Sequence, residues 1–324
     1  MRTTGIRHIL PMWAFCLLAS LASTGCSPAD SVKEAAVSQT GHGSQPGIET
    51  PGCLTGDEEP ETIRFAITPF VGRQIISAHF EPILAYLARQ TGRKFTLVNV
   101  SDYDEMLQLI AAGEVDFASL SPVLYVKARE QIPCLTLLLT QVARGSPYYS
   151  GYLLVNDSSA ISSLNELAGK RLSLGPALSA SGYVYPLSFL RSRGIEPASY
   201  FDEVVMAQDH VSSLRWLQEG RVDVAATFSS FRNPALASGL DAGKMRVLAV
   251  TGQIPYDAIC ARPGLSKRLM EDVRKALSRL NTTTPEGGRI LGDKLDMGGW
   301  IPTLDVFYDP VRKHLSNLSS EEQP

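Results

Sequence analysis

Histidine and cysteine are scarce here, with five of each in 324 residues. No Cys-x-x-Cys and no His-x-x-x-His pair occurs, so no zinc-type ligand set is expected. Also missing are a Gly-x-Ser-x-Gly elbow, a Walker loop and a His-Glu-x-x-His helix. Ser181 and His210 could be imagined as nucleophile and base, but no third group that would orient the base is apparent. These absences argue against an enzyme, a metal or a cofactor. Positive charge is short as well. Thirty Lys and Arg face 33 Asp and Glu, a net charge of −3, which leaves no footprint for nucleic acid. No apolar run reaches the roughly 20 residues that a bilayer-spanning helix needs.

What is present begins with an export leader. Arg2 and Arg7 precede an apolar stretch over 12–22, followed by Ser23-Thr24-Gly25-Cys26. A basic start, a short apolar run and small residues before a cut describe a secretory signal. Thr-Gly-Cys resembles a lipoprotein processing box, so residues 1–25 are expected to be removed and Cys26 to carry the lipid. Removal leaves 28 basic against 33 acidic residues, or −5, so an anion must be captured by local geometry and not by bulk charge. Residues 26–61 are rich in Ser, Gly, Pro and Glu and read as a tether, since they cannot bury enough apolar surface to offset their ordering entropy. Cys16 leaves with the leader. Cys53 falls in the tether, and Cys134 and Cys260 fall in apolar strands, a set that fixes no disulfide connectivity.

From Thr62 the pattern alternates strand and helix, which predicts an α/β fold with mostly parallel sheets covered on both faces. Strands are expected at 63–68, 95–100, 115–120 and 134–141, with helices at 78–89, 102–112 and 123–130. A second series has strands at 153–155, 171–174, 204–206, 222–226 and 245–250, with helices at 163–168, 181–193 and 211–219. The last 60 residues read as helical. One echo is informative: Leu109-Ile-Ala-Ala-Gly-Glu-Val-Asp-Phe-Ala118 parallels Leu217-Gln-Glu-Gly-Arg-Val-Asp-Val-Ala225. Each is a helix end, a Gly stop and a buried strand, and the two lie about 108 residues apart. Two lobes with related sheets are expected.

The chemistry concentrates at Gly175-Pro-Ala-Leu-Ser179-Ala-Ser181-Gly182-Tyr183, between a strand and a helix. A helix start exposes N–H groups without intrahelical partners, and the helix dipole adds positive potential. Such a segment can hold a tetrahedral oxyanion or be an ordinary Ser N-cap; on its own it does not choose.

This Ser-x-Ser-Gly resembles the Ser-Thr-Ser-Gly anion loop of the phosphate, phosphite and phosphonate substrate-binding proteins of ABC transporters. Further segments resemble that family in order: Asp102-Tyr103, Gly113-Glu-Val-Asp116, Gly145-Ser-Pro-Tyr-Tyr149, Leu154-Val-Asn-Asp-Ser158, Leu164-Asn-Glu-Leu-Ala-Gly-Lys170, Asp209-His210, Gly220-Arg-Val-Asp-Val-Ala225 and Ile254-Pro-Tyr-Asp257. They span about 62–292. The resemblance implies a two-lobed type II periplasmic-binding fold, with lobe one at 62–150 plus 256–324 and lobe two at 151–255. The ligand would lie in the cleft, which closes on it by rotation near 150 and 255.

Carried over as ligand-binding positions are Tyr103, Tyr149, Ser179, Ala180, Ser181, His210, Ser230 and Asp257. Ala180 stands where the family has Thr, which removes one hydroxyl. His210 could donate to an anion whose charge would favour its protonation. Ser230 and Asp257 match positions where aminoalkylphosphonate binders carry acids. Only Asp257 is acidic here, so a ligand without an amine is expected. Asp257 would repel a fully ionised dianion and favour a monoprotonated one. The implied partners are a small oxyanion and an ABC permease or a membrane sensor, for a monomer held outside the cytoplasm by its lipid. Two alternatives stand beside this reading: an arsenite sensor using Cys134 and Cys260, and a phosphonate or phosphate hydrolase.

Overall fold

The structure, a computed structural model, describes residues 56–292 and 295–318. The leader, Cys26, Cys53 and most of the tether lie outside them. The first four strands are β1 (Thr62–Ile67), β2 (Lys94–Val98), β3 (Phe117–Leu120) and β4 (Thr136–Val142). Five follow: β5 (Tyr148–Asn156), β6 (Arg171–Leu174), β7 (Glu203–Met206), β8 (Val224–Phe228) and β9 (Met245–Pro255). The chain then returns through β10 (Ala258–Ala261) and β11 (Gly299–Ile301).

Two sheets result, in the orders β11-β4-β10-β3-β1-β2 and β7-β6-β8-β5-β9. Helices lie between the strands, and each sheet centres one of two lobes. Parallel pairing holds for β1 with β2 and β3, and for β6 with β7 and β8. The sheets are more mixed than expected, because the passing strands run the other way. β5 is antiparallel to β8 and β9, and β10 inserts antiparallel between β3 and β4. β11 was not expected: three residues bounded by Gly and Pro carry too little pattern to read. The first helix, Arg73–Thr91, starts earlier than its apolar spacing suggested, because Gly72 at its N-cap provides no side-chain signal.

The repeated Gly-x-Val-Asp proves to be a structural device. Asp116 accepts the backbone N–H of Arg64 at 2.8 Å, and its two oxygens take the Arg64 guanidinium at 2.9 and 3.1 Å. Arg64 Nη2 also donates to the carbonyl of Gly113 at 2.7 Å. In the second sheet Asp223 accepts the N–H of Arg171 at 2.9 Å and its guanidinium at 2.9 and 3.0 Å, while Arg171 Nη2 reaches the Gly220 carbonyl at 2.8 Å. Both pairs are 52 residues apart in sequence. Gly113 and Gly220 have φ of 68° and 70°, the left-handed turn that ends each helix and aims its carbonyl at the arginine. Arg262 adds a third partner to Asp116 at 2.9 Å and reaches Glu58 at 2.6 Å. Gly56 and Glu58 pair in parallel with Ser266 and Leu265, which fastens the start of the described chain to the first lobe.

Where the chain passes between sheets, Gly151 of β5 faces Gly252 of β9. A Cβ on Gly151 would lie 2.3 Å from Thr251 Oγ1, and one on Gly252 (φ 153°) would lie 2.9 Å from the Tyr185 ring. Gly252 therefore demands glycine, and a side chain at 151 would have to displace Thr251.

The Asp116 side chain is wholly buried, whereas that of Asp223 is 28% exposed. Burial pushes the Asp116 carboxyl up, but hydrogen bonds from Arg64 and Arg262 outweigh it and hold the group below the usual carboxylate range. A lowered carboxyl stabilises the fold above its unfolded value and loses that contribution as pH falls through the folded one. Asp116→Asn is expected to cost about 1–3 kcal/mol, because a wholly buried group that accepts from Arg64 and Arg262 then places an amide NH2 against donors. Asp223→Asn, in a part-exposed pair, should cost about 1 kcal/mol. Urea denaturation at pH 7 and at acid pH checks both, and the gap between wild type and Asp116→Asn should narrow in acid.

Candidate functional site

β6 ends at Leu174, and Gly175 donates its N–H to the Gly182 carbonyl at 2.8 Å, folding the intervening loop back on itself. A Cβ on Gly182 would meet Ser179 Oγ, the Gly175 backbone and the His210 ring at 2.9–3.2 Å, which explains why the Ser-x-Ser motif closes on glycine. Ser179 is an N-cap whose Oγ accepts the Gly182 N–H at 3.1 Å. The first turn, Ala180–Val184, is a π turn that runs into the helix Tyr185–Arg191. The amides of Ala180 and Ser181 precede the first intrahelical acceptors and are available to an anion.

The other side chains arrive from separate elements. Tyr103 opens the helix Tyr103–Ala111, capped by Asp102, which accepts the Glu105 N–H at 2.8 Å. The Tyr103 hydroxyl faces Ser179 and that of Tyr149, from β5, faces Ser181; burial pushes both phenols upward. His210 opens the helix His210–Gln218, and its ring nitrogens lie 3.3 Å from Ser179 Oγ and 3.2 Å from Thr227 Oγ1. Asp257 sits between β9 and β10, at the return to the first lobe.

All eight expected positions line one cavity of about 60 Å³, together with Phe70, Phe80, Phe228, Leu295 and Met297. That is room for roughly four or five water-sized atoms. Ser119, Ser121, Gln141 and Tyr256 also line it and were missed. Ser119 and Ser121 had a readable signal, because they end a parallel strand, the edge where α/β sheets bind ligands. Leu295 and Met297 had none; they come from a return of the C-terminal chain. A larger groove of about 640 Å³ shares only Tyr103 with this cavity and is lined by Arg73, Asp102, Asp104 and Asp209 among others. It lacks the anion-loop hydroxyls, so the candidate chemistry belongs to the smaller cavity.

The cleft is closed. Across it the His210 N–H donates to the Phe70 carbonyl at 3.3 Å, Ser121 Oγ to the Leu178 carbonyl at 3.4 Å, and Ser230 Oγ to Asp296 at 2.6 Å. No Lys or Arg is found among the described lining residues. Burial pushes the Asp257 carboxyl up to about 7. Burial also pushes His210 down to about 4, outweighing the nearby Asp209 carboxylate. Without a bound anion His210 is neutral at pH 7, so one ring nitrogen can only accept and it can set the rotor of Ser179.

The cysteine alternative fails on geometry. Cys134 is disulfide-bonded and lies just outside β4, while Cys260 is a free thiol inside β10 that burial pushes upward. The pair is therefore not a dithiol, and the partner of Cys134 lies outside the described residues. Peptide mapping after alkylation should find Cys260 unmodified in native protein and modified in denaturant, with Cys134 modified only after reduction. Native labelling of either would contradict this arrangement.

Comparisons with known proteins agree with the fold. The profile of the family described as "ABC transporter, phosphonate, periplasmic substrate-binding protein" matches residues 65–308. The chain is 26% identical over 295 residues to the phosphate-import protein PhnD of Mycolicibacterium smegmatis, covering 86% of this chain and 92% of that one. It is 26% identical over 265 residues to the phosphonates-binding periplasmic protein of Escherichia coli, covering 79% and 77%. Among solved structures, a binding protein component of an ABC phosphonate transporter from Pseudomonas aeruginosa superposes with a TM-score of 0.71 at 22% identity, covering 82% of this chain and 92% of that one. A Prochlorococcus marinus protein in complex with methylphosphonate also gives 0.71, at 16% identity, covering 79% and 97%.

Proposed function

Because the chain belongs to the phosphonate family of periplasmic substrate-binding proteins of ABC transporters, we propose that it captures a small amine-free phosphorus oxyanion by cleft closure. The observation that carries this reading is convergence. A helix-start loop, two Tyr hydroxyls and one carboxyl meet in a closed cavity sized for a few atoms. Ser179, Ala180 and Ser181 bind oxyanion oxygens through backbone and hydroxyl donors, and Tyr103 and Tyr149 complete the shell. His210 orients Ser179.

Size and charge select the ligand. Asp257 is the single acid among the described lining residues, and Ser230 takes the place of a second, so an ammonium group lacks its paired counter-charge. Aminoethylphosphonate is too long for the volume, whereas phosphite and methylphosphonate fit it. The Phe70, Phe80, Phe228, Leu295 and Met297 side chains suit a P–H or P–CH3 face. A fourth oxygen left unpaired against them would cost about 1–3 kcal/mol, which ranks phosphate below the other two.

Asp257 sets the protonation. One proton lies between its carboxyl and the ligand, held on either group. As pH rises past about 7 that proton is lost, both groups become anionic, and affinity falls. The partner on this reading is an ABC permease that recognises the closed monomer, and the diacylated Cys26 holds the protein at the membrane after the leader is cut. Cys26→Ser should release the protein to the soluble fraction; retention at the membrane would refute the anchor.

Calorimetric titration from Thr62 onward with phosphite, methylphosphonate, phosphate and aminoethylphosphonate tests the site. Saturable binding in that rank order is expected, weakened at least tenfold in Ser181→Ala, a loss of about 1.4 kcal/mol or more. Above pH 7 the affinity should decline toward tenfold per pH unit, and Asp257→Asn should flatten the decline. Tightest binding of aminoethylphosphonate, or an affinity that rises with pH, would sink the reading.

A further inference from the structure

Two residues other than glycine have positive φ among the described residues, Arg144 at 50° and Asp296 at 56°. Aspartate tolerates this region better than most side chains, and arginine does not share that ease. Such conformations persist where surrounding contacts hold them, and they gather at functional sites. These two hold each other. Arg144 Nε lies 3.0 Å from both oxygens of the Asp296 carboxylate.

Their places in the fold give the pair its meaning. Arg144 follows β4, in the tight turn where Ala143 and Ser146 exchange backbone hydrogen bonds as the chain leaves the first sheet. Asp296 lies on the C-terminal return, between Leu295 and Met297, which both line the cavity. That return is rooted in the first lobe: the Gly298 N–H donates to the Val142 carbonyl at 2.7 Å, and Met297 Sδ lies 3.1 Å from His79 Nε2. From this base Asp296 reaches over. Ser230, beyond β8 in the second lobe, donates Oγ–H to Asp296 Oδ2 at 2.6 Å, a charge-assisted bond. Tyr256 lines the cavity beside Ser230. Through its bond to Asp296 the hydroxyl of Ser230 is committed to joining the lobes.

We infer that Asp296 is the latch residue of the closed cleft: oriented by Arg144, it holds Ser230 of the second lobe down over the bound oxyanion. It is a positioning residue, since it touches the wall residue and not the cavity. The inference rests on the binding reading above, and it assigns residence time to a residue outside the anion loop. The carboxylate is already paired with Arg144, so it completes closure without adding free negative charge beside the ligand.

Stopped-flow binding of phosphite and methylphosphonate, with wild type, Asp296→Gly, Ser230→Ala and the double variant, tests this. Glycine relieves the backbone while removing the carboxylate. Loss of one charge-assisted bond should raise koff about tenfold in Asp296→Gly with kon unchanged. Ser230→Ala should do the same, and the double variant should add little to either. A koff within about twofold of wild type in Asp296→Gly, or independent effects in the double variant, would overturn the latch. Should no oxyanion in the panel bind wild type, the functional reading fails, and the latch is then judged without ligand by small-angle scattering. A larger radius of gyration for Asp296→Gly than for wild type supports it, and equal radii overturn it.

Discussion

The strand alignment in each lobe is marked by one carboxylate at the foot of its sheet. A parallel strand pair has no hairpin to set its alignment, so something else must fix which residue faces which. Asp116 does this for β1 and β3 by taking both the amide and the guanidinium of Arg64, one step before Phe65 meets Phe117. Asp223 does it for β6 and β8 one step before Leu172 meets Val224. With the lower ends fixed, the upper ends are fixed too: Thr68, Ser119 and Ser121 in the first lobe, and the Gly175–Gly182 loop in the second. A slip of one residue would turn every one of these groups to the other face. The cavity polarity is thus a consequence of ion pairs at the opposite edge of the sheets.

Inside the cavity the governing constraint is desolvation. A closed site without Lys or Arg among its described lining residues has no bulk field to hold an anion, and neutral dipoles must do so. The same dryness moves His210 and Asp257 toward their uncharged forms, His210 down to about 4 and Asp257 up to about 7. An imidazole that stays neutral is a directional hydrogen-bonding group, suited to aligning a hydroxyl. A carboxyl that titrates near neutrality can share a proton with a ligand of similar acidity. Both behaviours come from enclosure, and enclosure comes from the bonds His210–Phe70, Ser121–Leu178 and Ser230–Asp296 between lobes.

Much of this was legible in residue order, for reasons that differ by element. The echo of Gly-x-Val-Asp carried the two-lobe architecture because glycine at the helix end and aspartate at the strand start each answer a local steric or electrostatic demand. The Gly175–Gly182 loop was legible as a helix start because Ser179 and Gly182 are fixed by cap geometry and close packing within a few residues. Less accessible were groups whose role is decided by distant chain. Nothing near Asp296 in sequence announces Ser230 or Arg144, 66 and 152 residues away. The burial that moves His210 toward its neutral form was not legible, because neighbours in sequence, such as Asp209, are visible there while the walls that exclude water are not. The antiparallel strands were likewise hidden, since direction depends on which lobe the chain is entering. β11 is set by an edge contact and not by its own three residues.

The facing glycines of the passing strands bear on how the chain crosses between the sheets. A side chain at 252 would strike the Tyr185 ring, and one at 151 would displace Thr251. Two stretches of backbone without side chains meet there. The crossing is therefore a point of minimum bulk, set by backbone alone.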